Sequence, residues 1–226
     1  MTMIVRTNTP PSDRTRVRRL AELANYERST LHAIIDAGYL CHIAFHDEKG
    51  SHCIPTACWR QGEHLYIHGS NGGRLLKLLS GDIQACVAIT HLDGLVLARS
   101  AFNHSMNYRS AVIYGSFQRV TSETEKRGAL DAFMDKLAPG RRDEVRSGSN
   151  KEFAATTVMR ISLDEAAAKV RAGGPTDDEE DMSIPVWAGI LPIVQTQAPP
   201  VSDESVKIEA PVYVREWGET SDNVCG

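Results

Sequence analysis

Apolar residues recur along the first third of the chain with two different periods. Leu20, Leu23 and Ala24, then Leu31, Ile34 and Ile35, fall at helical spacing. Arg14 to Gly38 therefore reads as helical, with a break between Asn25 and Thr30 and Gly38 as a left-handed terminator. From Tyr39 the period drops to two. Tyr39, Cys41, Ile43 and Phe45 share one face, Asp47-Glu48-Lys49-Gly50 supplies turn chemistry, and His52 to Arg60 returns as the second strand of a hairpin. A turn at Gln61-Gly62 leads into His64–His68, a third antiparallel strand. Gly69-Ser70-Asn71-Gly72-Gly73-Arg74 then opens a brief helix, Leu75 to Leu79.

The middle of the chain is rich in β-formers. Ile83 to Thr90 and Leu95 to Arg99 read as two strands around a turn at Leu92-Asp93-Gly94, and Tyr108 to Val120 as one long strand. Ser122-Glu123-Thr124-Glu125 has the form of a capping box, and the helix behind it, striped by Leu130, Phe133, Met134 and Leu137, stops at Pro139-Gly140. Thr156 to Ser162 reads as a further strand, whereas Leu163 to Val170 fits either helix or continued pairing. The acidic run Asp177 to Asp181 reads as a solvated loop before the compact apolar element Ile184 to Pro192. The pattern predicts one domain over residues 1–194. A partly ordered extension covers 195–226, with one β-like patch at Val206 to Val214.

Composition narrows the function classes. A formal charge of −4 gives no electrostatic footprint for nucleic acid, and no apolar run reaches bilayer length. No apolar leader follows the arginines of the first twenty residues, so a cytoplasmic protein is expected. Five cysteines, Cys41, Cys53, Cys58, Cys86 and Cys225, are odd in number and mostly lie in apolar runs, which suits reduced core thiols. Seven histidines and cysteines crowd Cys41 to His68 apart from Cys41 itself, yet no C-x-x-C occurs, the H-x-x-x-H spacings His42/His46 and His64/His68 fall in strand-like rather than helical runs, and alternation scatters the set over both faces. A zinc site is not expected. No G-x-S-x-G elbow occurs, which disfavours a hydrolase.

His68-Gly69-Ser70, Gly73, Arg74 and Lys77 have the order a phosphate monoester needs: a strand end, small residues whose amides can turn inward, and cations at a helix start. By itself such a turn also occurs without a ligand. Taken in order with Ile54-Pro55-Thr56, Tyr66-Ile67-His68-Gly69-Ser70 and Asn107-Tyr108-Arg109-Ser110, it resembles the pyridoxamine-phosphate-oxidase-like flavin-binding family, particularly the small FMN-binding branch that includes the nitroimidazole-resistance proteins. The resemblance runs from about Arg14 to Pro192 and ends in Val186-Trp187-Ala188-Gly189-Ile190-Leu191-Pro192.

The resemblance implies a mainly β, α+β fold: a six-stranded antiparallel split β-barrel with peripheral helices. It implies a homodimer with FMN at the subunit interface. Ile54, Pro55 and Thr56 would line the isoalloxazine edge; His68, Gly69, Ser70 and Arg74 the phosphate and ribityl side; Tyr108, Arg109 and Ser110 the closing strand. Trp187 would cover the flavin from the partner. Relatives carry a lysine after the arginine where this chain has Leu75, and Lys77 is the candidate replacement. His68 is the candidate catalytic residue, as proton donor or substrate contact. The implied function is a flavin-dependent oxidoreductase fed by a nicotinamide or small organic substrate, with a non-catalytic flavin store or sensor as the alternative. Pyridoxamine phosphate oxidation itself is not expected, because no basic set follows Trp187. Fold does not dictate ligand, so a deazaflavin or tetrapyrrole is a third occupant.

Overall fold

The computed structural model describes residues 9–218. Two antiparallel sheets carry the fold. The larger is seven-stranded. Its path is β1 (Ala24–Asn25), β10 (Ala166–Arg171), β7 (Ser105–Ser116), β6 (Gln84–Leu97), β2 (Leu40–Asp47) and β3 (Gly50–Ala57), with β11 (Gly189–Pro192) added on β6. The smaller sheet orders β4 (Trp59–Gln61), β5 (His64–Ser70), β9 (Thr156–Ser162) and β8 (Gln118–Arg119). The expected split barrel is present, built from more and shorter strands than six, and the sheet does not close.

The main core lies between the sheets. Cys41, Ile43 and Phe45 of β2, Val87 and Ile89 of β6, and Ile113 of β7 face Leu65 and Ile67 of β5 and Ile161 of β9. Helix α1 (Arg28–Ala37) adds Leu31, Ile34 and Ile35 at one end, and α2 (Arg74–Leu79) adds Leu76 and Leu79. A second cluster, Trp59, Tyr66, Val120, Ala129 and Val158, forms where α3 (Glu123–Leu137) covers the other face of the smaller sheet. Among the described residues no helix is long and apolar enough to cross a membrane.

Several expectations need correction. Residues before Arg28 are not an α-helix: Ala21–Leu23 is a single 3-10 turn and Ala24–Asn25 is the edge strand β1. Gly38 ends α1 in extended geometry, φ −103°, not left-handed. A Cβ there would make close contact with His91 Cε1 and Ile89 Cγ2, both at 3.4 Å. Leu92-Asp93-Gly94 is no turn, because β6 runs through it with a bulge between Leu92 and Gly94. β5 does not continue the first hairpin's sheet but joins β9. Ser122 caps α3 by accepting the Glu125 amide, while the Glu125 carboxylate accepts from Tyr66 and Arg160 instead of closing a capping box. The complete box belongs to α4 (Asn150–Ala155), through Ser149 and Glu152.

Leu163 to Val170 resolves as a tight return into β10. Asp177 is not solvated: its side chain is 1% exposed and binds the Arg99 amide and guanidinium, both at 2.7 Å. Val206 to Val214 holds no strand; a short helix, α5 (Val212–Arg215), occupies its end, and the Tyr213 hydroxyl donates to Glu144. Cys41 and Cys58 are buried thiols as expected, whereas Cys53 faces solvent. Cys225 and the end of the tail lie outside the described residues.

Candidate functional site

β3 ends the path of the larger sheet, and one of its sides is open. The Cys58 amide donates to the Tyr39 carbonyl at 3.0 Å, in register with the pairing of β2 and β3. Antiparallel alternation then turns the even-numbered amides of β3 toward β2 and those of positions 51, 53, 55 and 57 outward. Pro55 falls on the open side, so its missing N–H costs the ladder nothing. Ile54 packs against the core, Thr56 shares that inward face, and Pro55 is exposed on the other.

The corner beside this edge is built by the turn after β5. Asn71 clamps it: its amide donates to the Ala155 carbonyl (2.9 Å), its side-chain amide to the Ala154 carbonyl (2.7 Å), and its Oδ1 accepts from Thr157 (2.7 Å). Gly69 leaves room for Leu76, since a Cβ would stand 2.9 Å from Leu76 Cδ1 and force that buried side chain to shift. Burial of Leu76 and Leu79 leaves Arg74 and Lys77 on the solvent side of α2. The Arg74 side chain is 61% exposed, with Nη2 4.0 Å from Asp47 Oδ2 at the β2–β3 turn. Asp47 already accepts from His52 Nε2 (2.8 Å) and the Lys49 amide (2.8 Å). That His52 bond, with Arg74 as a weaker contributor, holds its carboxyl below the usual carboxylate range. Arg74 is therefore a guanidinium at one end of an open strand edge with donors to spare.

His68 lies elsewhere. Its ring stands across the smaller sheet from Ile54, 4.7 Å from Phe133 and 5.6 Å from Trp59. Nδ1 is buried without a partner, and desolvation pushes the imidazole below its ordinary pKa, so it is held neutral. Beside it Tyr66 donates to Glu125 (3.1 Å), which also accepts from Arg160 (2.5 Å).

The outward face of the larger sheet gathers a different set. Register aligns Pro55, His42, Ala88, Val112 and Ala167 in one row across five strands. A neighbouring row carries Ser110 beside Lys169, and the next carries Leu92, Tyr108 and Arg171. Pro55, Tyr108 and Ser110 thus share one face, with small side chains around them. Arg109 alternates to the other face and is committed to Asp93, at 2.9 and 2.8 Å. His42, exposed and making no side-chain hydrogen bond, is a residue that sequence reasoning missed as a member of this face. Over the far end of the face, residues 14–17 wall a cleft of about 260 Å³ above Ser110, Val112 and Tyr114.

Trp187 stands on an arm. β6 and β7 continue past the point where β2 leaves them, and β11 pairs there with Gly94–Leu97. One face of this arm is an exposed apolar row, Leu191, Leu95 and Met106, and the Trp187 ring packs on Gly189 of the same strand. Within one chain, then, the predicted residues fall into four places: the β3 edge with Arg74, the outward sheet face, the arm, and the separate His68 cluster.

The fold is an antiparallel split barrel whose open strand edge lies beside a glycine-lined corner and the exposed guanidinium of Arg74. The chain belongs to the pyridoxamine 5'-phosphate oxidase family, whose profile matches residues 27–170. Similarity extends well beyond that segment. The flavocytochrome Anf3 from Azotobacter vinelandii is 40% identical, covering 92% of this chain and 98% of that one, with a TM-score of 0.87. The FAD and heme binding protein from Mycobacterium smegmatis is 34% identical over 87% of this chain and 97% of that one, TM-score 0.82. A Bacteroides thetaiotaomicron protein ascribed to 5-nitroimidazole antibiotic resistance shares the fold at 21% identity, covering 65% and 86%, TM-score 0.54. No curated protein matches the chain significantly.

Proposed function

We propose that this protein binds a flavin and a haem and acts as a flavin-dependent oxidoreductase. The observation that carries the reading is its likeness, over nearly its whole length, to a flavocytochrome and to a protein that binds FAD and haem. FAD is preferred to the FMN expected from sequence because the second of these relatives is an FAD protein. Bound, the two groups supply two-electron chemistry at the flavin and one-electron chemistry at the iron.

The residues fit a flavin. The outward amides of β3 offer hydrogen bonds to a heterocycle edge, interrupted at Pro55. Gly69 keeps the corner open to a close backbone approach, Ser70 adds a hydroxyl, and Arg74 holds a phosphate oxygen pair, with Lys77 on the same short helix. They also fit a haem, which needs an available imidazole and an apolar surface. Leu92, Leu95, Met106 and Leu191 are all exposed, and the imidazoles of His42 and His104 lie in or beside the same sheet surface. His68, buried among aromatic rings with its pKa lowered, is ill suited to donate a proton, and its role in this reading is that of a substrate contact.

The protein works as a homodimer in this reading. A face of small and apolar side chains, extended by an apolar arm that ends at 94%-exposed Phe102, is more apolar surface than an isolated barrel leaves uncovered. A second copy would cover it, bringing Trp187 and the outward face of one protomer to the β3 edge of the other.

The test is the absorption spectrum of the purified protein, with mass spectrometry of the released groups. FAD and haem together are expected; protein that on reconstitution takes up no flavin, or flavin without haem, refutes the reading. Turnover separates an oxidoreductase from a flavin store: reduced nicotinamide should bleach the flavin, and His68→Ala should slow that step while flavin stays bound.

A further inference from the structure

His104 sits directly before β7, at the end of the 3-10 turn Ala101–Asn103. The turn is capped by Ser100, whose hydroxyl accepts the Phe102 amide at 3.3 Å, and the Ser100 carbonyl lies 2.9 Å from His104 Nδ1. A carbonyl can only accept. Nδ1 must therefore carry the proton, and the ring's lone pair is left on Nε2, which makes no hydrogen bond.

The other histidines are arranged differently. Nε2 of His52 is bound to Asp47, Nε2 of His91 to the Ile34 carbonyl, and Nε2 of His32 faces Glu63. His46 Nδ1 meets a hydroxyl, Ser51 Oγ, which leaves its tautomer undecided. His68 Nδ1 has no partner. Among the described residues, His104 alone combines an Nδ1 anchored on a carbonyl with an open Nε2. That pairing is what orients a metal-bound imidazole and raises its basicity.

The surroundings select the metal's carrier. His104 directly precedes β7, two residues before Met106. Met106 is opposite Leu95, and Leu95 is opposite Leu191; all three are exposed, as is Phe102 beside the histidine. A bare divalent cation would find no carboxylate or thiolate company, since no cluster of three or more ligating side chains occurs among the described residues. A macrocycle that brings four of its own ligands needs only one imidazole and an apolar floor.

We infer that His104 Nε2 would be the protein's ligand to the haem iron, with the Met106–Leu95–Leu191 row as the surface that would take the macrocycle. The assignment rests on the haem reading above. The experiment compares haem content and absorption spectrum of wild type, His104→Gly, His104→Met and His68→Ala, each purified after expression with added haem precursor, with flavin content as the check on folding. His104→Gly should bind haem at least about tenfold more weakly while keeping flavin, and added imidazole should restore binding and the wild-type spectrum. His104→Met should keep haem with a shifted spectrum. Full haem and an unchanged spectrum in both His104 variants, or loss of haem in His68→Ala alone, would overturn the assignment and leave the haem reading standing. Wild type that takes up flavin but no haem would overturn both.

Discussion

Gly189 offers a direct test of how Trp187 is held. A Cβ at this position would stand 2.8 Å from Trp187 Cζ2 and 3.0 Å from Cη2, closer than side chains tolerate. The backbone there is not left-handed, so alanine meets no strain of its own and the whole effect passes through the indole. Trp187 is 62% exposed, and the cheapest response to Gly189→Ala is for the ring to swing off the arm. A fully enclosed indole buries roughly 150–250 Å², so the part covered here is roughly 60–95 Å², about 1.5–2.5 kcal/mol at 25 cal/mol per Å². That is the ceiling on the destabilisation in the monomer.

The assay is tryptophan emission and urea denaturation in a Trp217→Phe background, where fully buried Trp59 supplies a constant blue component. Gly189→Ala should red-shift the emission and lower stability by up to about 2 kcal/mol. Emission and stability both unchanged would mean that Trp187 does not rest on Gly189. If the ring covers a partner's flavin, the same variant should also raise the flavin's fluorescence in the loaded protein.

Four shorter tests bear on the other parts of the site. Arg74→Ala should weaken FAD binding by about 1.5–3 kcal/mol, the range for a hydrogen bond to a charged group; unchanged affinity in a titration removes Arg74 from the pocket. Burial lowers the pKa of His68, so the unfolded chain takes up its proton first. The stability contributed by the neutral ring is complete above its unfolded value of about 6.5 and is lost as pH falls from there toward the lowered folded value. Melting temperatures between pH 5 and 7 should accordingly fall less steeply with acidification in His68→Asn than in wild type. Pro55→Ala restores an amide on the open side of β3, where no strand waits, so urea stability should move by no more than about 0.5 kcal/mol; a larger gain would place that amide in the ladder. Ser149→Ala removes the cap of α4 and should cost about 1 kcal/mol, read as a shift of the urea midpoint.

Where the chain alternates cleanly, structure follows pattern: β2, β5 and β9 lie where the period of two put them, and α2 and α3 where the helical spacing put theirs, whereas the strand read over His52 to Arg60 divides into β3 and β4, which belong to different sheets. Misreadings cluster where one local signal serves two geometries. Leu20, Leu23 and Ala24 have helical spacing, yet Leu20 adopts φ 53° and Ala24 pairs with Lys169, a long-range partner that local spacing does not register. Asp93-Gly94 is good turn chemistry, but the bulge in β6 uses the same residues without reversing the chain, and β11 then crowds Gly94, where a Cβ would lie 3.0 Å from the Leu191 carbonyl. Asp177 looked solvated because its neighbours are acidic; only the fold brings Arg99 to it.

The site divides along the same line. Pro55 was legible because a proline inside a strand needs an open edge, and the glycines before Arg74 because a close approach needs them. His42 and His104 were not, since a histidine reads alike in sequence whatever its ring nitrogens meet. What distinguishes His104 is the Ser100 carbonyl 2.9 Å from Nδ1 and the apolar row three strands wide beside it. The first is a local contact across the 3-10 turn, four residues apart, whereas the second exists only after β6, β7 and β11 have paired. The candidate site is thus written in two layers: backbone-permissive residues visible in the chain, and ring tautomers and apolar rows set by turn contacts and strand register that only the folded chain supplies.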